Sequence, residues 1–210
     1  MIKIQDSRFR IRDKGMTLVE VLIAIAIFGA VMIAVVAFEI NIFKYNTHIS
    51  GSFQTTQSAQ TILKKILTEI RDTAPGANGA FPIVTAGSTS ISFFSDTDNN
   101  GTEEQVTYSM IGTNLYRAVI QPTGSPATYN PATQSTTTIM TGVRNGNTTP
   151  VFEYFDNTYT GTSSPLVQPV TTTAVTLVKV NLVLDLDPNN SPLPVTYTVQ
   201  VGLRNLKTNL

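Results

Sequence analysis

Lys14-Gly15-Met16-Thr17-Leu18-Val19-Glu20, followed by residues 21–38 without one charged side chain, is the stretch from which the rest of the chain is read. At about 1.5 Å rise per residue, that apolar run is long enough for a transmembrane helix candidate. Glu20 breaks the pattern. A carboxylate at the border of a membrane span is costly to bury, so it marks a functional position by default.

Working outward, residues 1–15 hold five basic and two acidic side chains, and the other 195 residues hold nine basic and twelve acidic. A positive flank on the short N-terminal side predicts that this side stays in the cytoplasm and that the C-terminal domain is exported. An ordinary secretory signal also begins basic and turns apolar, but its apolar core runs to about 7–15 residues and ends at a small-residue cleavage site. Here the apolar run is longer, no Ala-x-Ala follows, and residues 38–45 continue into helical sequence. The span is therefore expected to be kept.

The residues 15–29, G-M-T-L-V-E-V-L-I-A-I-A-I-F-G, resemble the N-terminal signal of type IV pilins and type II secretion pseudopilins. The resemblance implies that a prepilin peptidase cuts after Gly15, that the new N-terminal residue Met16 is methylated, and that Glu20 serves assembly. It also implies a partner for the Glu20 carboxylate, the amine of Met16 on the same or a neighbouring subunit. Met16 departs slightly from the family, whose first mature residue is more often Phe. The alternative for Glu20 is a border glutamate that snorkels to the interface. Gly15, lacking Cβ, lets a protease approach the backbone closely. Ala24, Ala26, Gly29, Ala30, Ala34 and Ala37 suit close helix packing in lipid, although an ordinary anchor would also carry them. No proline interrupts residues 28–40, which favours a straight stem.

The reading divides the chain into a cleaved leader (1–15), a membrane or filament-core helix half (16–40), an amphipathic helix half (41–75) and a β-rich extracytoplasmic domain (76–210). Gly29 and Gly51 are weak points, each costing roughly 1 kcal/mol relative to Ala. In the second half Phe53, Ile62, Leu63, Ile66, Leu67 and Ile70 form one stripe. Gln54, Gln57, Gln60, Lys64, Lys65, Glu69 and Arg71 are assigned to the other faces. Pro75 and Gly76 end the helix. Strands are expected at 91–94, 105–110, 115–120, 151–155, 175–184 (the longest) and 195–201, with Gly112-Thr113-Asn114 as a turn. The Thr/Ser/Pro-rich residues 121–138 and those after 155 are expected as surface loops. The fold class is α+β, a long N-terminal helix packed on a mostly antiparallel sheet.

A second, weaker resemblance lies in the sheet region. Phe93, Asp96, Asp98, Asn100, Gly101, Val106, Tyr108, Gly112, Leu115 and Arg117, then residues 152–156 and 203–205, are similar to minor pilins and J-type pseudopilins. It implies a subunit that initiates or caps a filament.

Asp96-Thr97-Asp98-Asn99-Asn100-Gly101 has the spacing of the first half of an EF-hand loop, with Glu104 at the ninth position. Thr107 stands where the bidentate Glu belongs, so a full EF-hand is excluded. Two readings stay open: a plain acidic hairpin turning at Asn100-Gly101, or a loop stabilised by Ca²⁺. Asp185, Asp187 and Asn189 read as a turn. Glu103 and Glu104 read as solvated charge on a loop.

No catalytic set emerges. The chain has no cysteine and a single histidine, His48, which argues against zinc sites and Cys-His nucleophiles. A mildly acidic domain argues against nucleic acid as main partner. The expectation is a non-enzymatic minor pilin or pseudopilin, a single-pass inner-membrane protein until it enters a pilus or pseudopilus. Its expected partners are prepilin peptidase, other pilin subunits, the inner-membrane assembly platform and, before assembly, membrane lipid. The alternative is a membrane-anchored adhesin or sensor that never polymerises.

Overall fold

The computed structural model of the chain describes residues 15–146, 148–185 and 194–204, with residues 41 and 43–56 described by backbone alone. The leader before Gly15, the His48 and Phe53 side chains, and the turn around Asp187 and Asn189 lie outside the described residues. The chain divides into two units, residues 1–50 and 51–210.

Helix α1 spans Leu18–Arg71 and crosses that division. In the first unit its residues Leu18–Ile40 have mean hydropathy 3.0 and none is buried. Twenty-three residues rise about 35 Å, enough to cross a hydrocarbon layer of about 30 Å.

The second unit is built around the later turns of α1. Ala59, Leu63, Ile66 and Ile70 are buried at spacings of four, three and four, while Ile62 and Leu67 flank the same core. The helix ends at Arg71, four residues before Pro75. Thr73 N–H turns back to the Ile70 carbonyl, and Ala74 N–H donates to Phe94 O at 3.1 Å, so the chain leaves the helix into the sheet. A Cβ on Gly76 would meet Asn78 Oδ1 at 2.9 Å and the Phe94 ring at 3.0 Å, so close approach favours glycine there.

Ten strands follow: β1 (Ile83–Ala86), β2 (Ser90–Ser95), β3 (Glu104–Ile111), β4 (Asn114–Ile120), β5 (Pro122–Thr123), β6 (Thr128–Tyr129), β7 (Ser135–Met140), β8 (Phe152–Phe155), β9 (Leu177–Leu184) and β10 (Val195–Gly202). Every pairing is antiparallel. The single expected sheet is instead three: β1-β2-β3-β4-β7, β10-β9-β8 and the small β5-β6 hairpin. The two larger sheets are tied by Tyr154, whose hydroxyl donates to the carbonyls of Gly87 and Ser90, and by a bridge between Val143 and Leu184. Their inner faces share one core with α1, in which Phe93, Val106, Tyr108, Phe152, Val180 and Leu182 are buried.

Four expectations need correction. Residues 135–138, assigned to a loop, begin β7 and pair with β4. Their Ser-Thr-Thr-Thr sequence is exposed on both faces at a sheet edge, so β-branching is its only strand signal. β1 was missed because it is four residues long, with a bulge in its pairing to β2. β9 starts at Leu177 and is matched in length by β3 and β10, at eight residues each. Glu69, assigned to an outer face, is buried against the sheet.

Candidate functional site

Two places carry functional side chains, one in each unit. In the first, Gly15, Met16 and Thr17 precede the helix and are exposed. The Gly15–Met16 bond thus lies in non-helical backbone that a protease can reach. Thr17 is the N-cap of α1: its carbonyl accepts from Val21 N–H, and its hydroxyl accepts from Glu20 N–H at 3.3 Å. Glu20 answers, its Oε2 accepting from Thr17 N–H at 2.8 Å and from the Thr17 hydroxyl at 3.1 Å. This is a capping box, which satisfies orphan donors at the start of a helix reciprocally. The sequence signal for it is Thr17-Leu18-Val19-Glu20, the S/T-x-x-E pattern. Both donors belong to Thr17, the second residue of a chain that begins at Met16. The carboxylate also lies near the positive end of the helix dipole.

In the second unit, the residues between β2 and β3 form an acidic loop. The two strands part after the pair Ser95↔Glu104, so the connection is eight residues long, 96–103, and not a two-residue hairpin at Asn100-Gly101. Asn99 (φ 58) and Gly101 (φ 82) take left-handed conformations that curl the loop inward. Asp96 accepts from the N–H groups of Asn100 and Gly101 at 3.1 and 2.9 Å. Asp98 accepts from Asn100 N–H and from its side-chain amide. Asn100 Oδ1 accepts from Thr102 N–H. The carboxylates of Asp96, Asp98 and Glu104 each bring an oxygen within 4.8 Å of the other two. Of the four residues anticipated for calcium, these three converge, and Asn100 braces Asp98.

Glu104 corrects the reading of a solvated loop charge. It is the first residue of β3 and fully buried. Its Oε2 accepts from Thr97 N–H at 2.7 Å and the Thr97 hydroxyl at 2.9 Å. Thr107, at the twelfth position, is paired with Ser92 inside β3, which removes it from the loop.

A third polar cluster, not anticipated from the sequence, is structural. Tyr108 and Arg117 are directly opposed in β3 and β4, so both face α1. Glu69 receives Tyr108 Oη at 2.6 Å and the Arg117 guanidinium in a two-point contact at 3.0 and 2.9 Å. Burial, reinforced by the Glu69 charge, pushes the Tyr108 phenol far above its usual range, so it remains a donor. Burial alone would lower Arg117, but the Glu69 contact outweighs it and raises it.

In the three-stranded sheet Glu153 pairs with Lys179 at 2.9 Å and accepts from Asn181. Burial opposes its ionisation, yet these two partners hold its carboxyl below the usual value.

Against known families, residues 10–36 match the model described as a prokaryotic N-terminal methylation motif. The chain therefore carries an N-terminal signal of the type IV pilin and pseudopilin type, the motif of prepilin-peptidase substrates. Such a motif implies processing by that peptidase and assembly with other pilins, and its family is structural, not enzymatic. Together with the exposed apolar helix, it fits a membrane-anchored protein. No curated protein matches the chain.

Proposed function

We propose that the chain is a minor pilin or pseudopilin subunit of a type IV pilus or a type II secretion pseudopilus, and not an enzyme. In this reading it is made as a prepilin with its basic leader in the cytoplasm and residues 76–210 outside the inner membrane. Prepilin peptidase cuts between Gly15 and Met16, and Met16 is N-methylated. The observation that carries the reading is the methylation motif ending in an apolar helix whose large side chains are all exposed.

The physical argument concerns where that apolar surface goes. Leaving lipid for water would expose the whole span, whereas leaving lipid for a bundle of like helices keeps it out of water. Glu20 then sits at a depth where an unpaired charge is costly. Cleavage creates an amine at Met16, one residue from the Thr17 groups that Glu20 already engages. Processing thereby supplies the counter-charge that packing requires. The inner-membrane assembly platform and sister subunits are the partners of this step.

Intact-mass analysis of the membrane protein, with and without an active prepilin peptidase, tests the reading. The expected product begins at Met16 and is about one methyl group heavier. An uncut chain in the presence of peptidase would overturn it. For assembly, Glu20→Ala should be cut yet absent from sheared filaments. A variant that enters filaments as well as the parent would remove the role given to Glu20, and a cut parent chain never found in filaments would favour a non-polymerising anchor for a binding module.

A further inference from the structure

We propose that the loop between β2 and β3 binds one calcium ion through Asp96, Asp98 and Glu104. The three carboxylates lie within 4.8 Å of one another, and among the described residues none of them forms an ion pair. The observation that singles this cluster out from an ordinary acidic loop is Glu104. It is fully buried, and its Oε1 has no hydrogen-bond partner. A buried carboxylate oxygen without a donor is costly and rare in folded proteins, and a cation is one of the few things that can satisfy it. Thr97 has already committed both its N–H and its hydroxyl to Oε2. The loop orders Glu104 for a ligand it does not itself contain.

The donor set selects the ion. Three carboxylates with neither histidine nor thiolate suit a hard cation. Oxygens bound to calcium at about 2.3–2.6 Å lie up to about 5 Å apart across the ion, which accommodates the present spacing without collapse of the loop. Magnesium, at about 2.0–2.1 Å and strictly octahedral, would need the loop to tighten. Calcium takes about 6–8 oxygens, so water completes the shell. A cavity of about 390 Å³ opens beside the loop, lined by Asp96, Thr97 and Asn99 with Lys64 and Thr68 of α1. Ser95 also lines it, and its buried hydroxyl is the second polar atom without a partner.

The site resembles an EF-hand only up to Gly101. Beyond it the chain enters β3 and not a helix, and Glu104 in the strand takes the place of the missing bidentate residue. With three carboxylates and solvent in the remaining positions, binding belongs in the weak class of about 10⁻⁴–10⁻³ M, suited to extracellular calcium levels. The site lies wholly in the second unit, so the proposal stands whether or not the processing reading holds.

The test uses the full chain in detergent micelles, stripped with chelator and titrated with CaCl₂ by calorimetry and thermal melting. One site is expected, with a melting temperature raised by about 5 °C at a hundredfold excess over Kd. Asp98→Asn keeps an oxygen for the Asn100 N–H but removes a charge, and should weaken binding at least tenfold and cut the rise by half or more at the same calcium concentration. Glu104→Gln should do the same, while melting in chelator no lower than the parent. Should Glu104→Gln fail to fold, the exposed Asp98→Asn decides. Identical melting with calcium and chelator would overturn the proposal. So would equal binding by parent and Asp98→Asn, or an equal rise with MgCl₂.

Discussion

The early turns of α1 are apolar on every side and the late turns on one stripe only, and they dispose of that surface in opposite ways. Over residues 18–40 every large apolar side chain is exposed. Over residues 57–71, Leu63, Ile66 and Ile70 are buried and Lys64, Lys65 and Arg71 are exposed. The same contrast holds for their carboxylates. Glu20 is satisfied by Thr17, three residues away. Glu69 is satisfied by Tyr108 and Arg117, 39 and 48 residues away. An all-round apolar surface needs a partner that is apolar on every side, lipid or other helices. A striped one needs a single sheet. Within one chain the helix end in the first setting is capped locally, whereas a folded core permits long-range pairing in the second.

Core truncation breaks this comparison most sharply. Ile66→Ala should cost the second unit about 3–4 kcal/mol, because a fully buried side chain leaves a cavity. Ile27→Ala, in the exposed span, should change its unfolding by less than about 0.5 kcal/mol. Denaturant unfolding of the full chain in micelles measures both. Comparable losses would mean that the two stretches are not independent.

The carboxylates give the next effect. Glu69→Gln leaves the Arg117 guanidinium against the core without its counter-charge and should cost roughly 3 kcal/mol. Adding Arg117→Met should restore much of that loss, since the charge left uncompensated is then gone. A single-mutant loss below about 1 kcal/mol would reduce the cluster to a surface-type pair.

Smallest is the cap. Thr17→Val removes the hydroxyl that Glu20 both donates to and accepts from, and should cost about 1 kcal/mol of local helix stability. Amide exchange at residues 18–21 should quicken while the melting of the second unit stays unchanged. Unaltered exchange would show that the Thr17 hydroxyl adds nothing to the cap.

Much of this was legible without coordinates. The span, a helix stop in the residues before Pro75 and Gly76, and the strand regions from β2 to β4 follow from local composition and period. The loop gave its acidic pattern but not its geometry. Asn100-Gly101 is a strong hairpin signal, yet the strands part at Ser95 and Glu104 because Asp96 and Asp98 gather the intervening N–H groups. Glu104 next to Glu103 reads as solvated charge, and only strand pairing buries it. β7 was hidden because an edge strand exposed on both faces has no hydrophobic alternation to display.

The sequence by itself determined what is written within a few residues: an N-terminal cleavage and methylation motif, a membrane-length apolar helix, an amphipathic continuation and a capping box. These depend on helical period, side-chain chemistry and nearest neighbours, all present along the chain. Tertiary structure alone decided that Glu69 faces inward, that the strands form three sheets, and that Asp96 and Asp98 come close to Glu104, whose Oε1 is buried and unpaired. Those outcomes depend on which distant residues are brought opposite one another, and register between strands is a property of the packed whole.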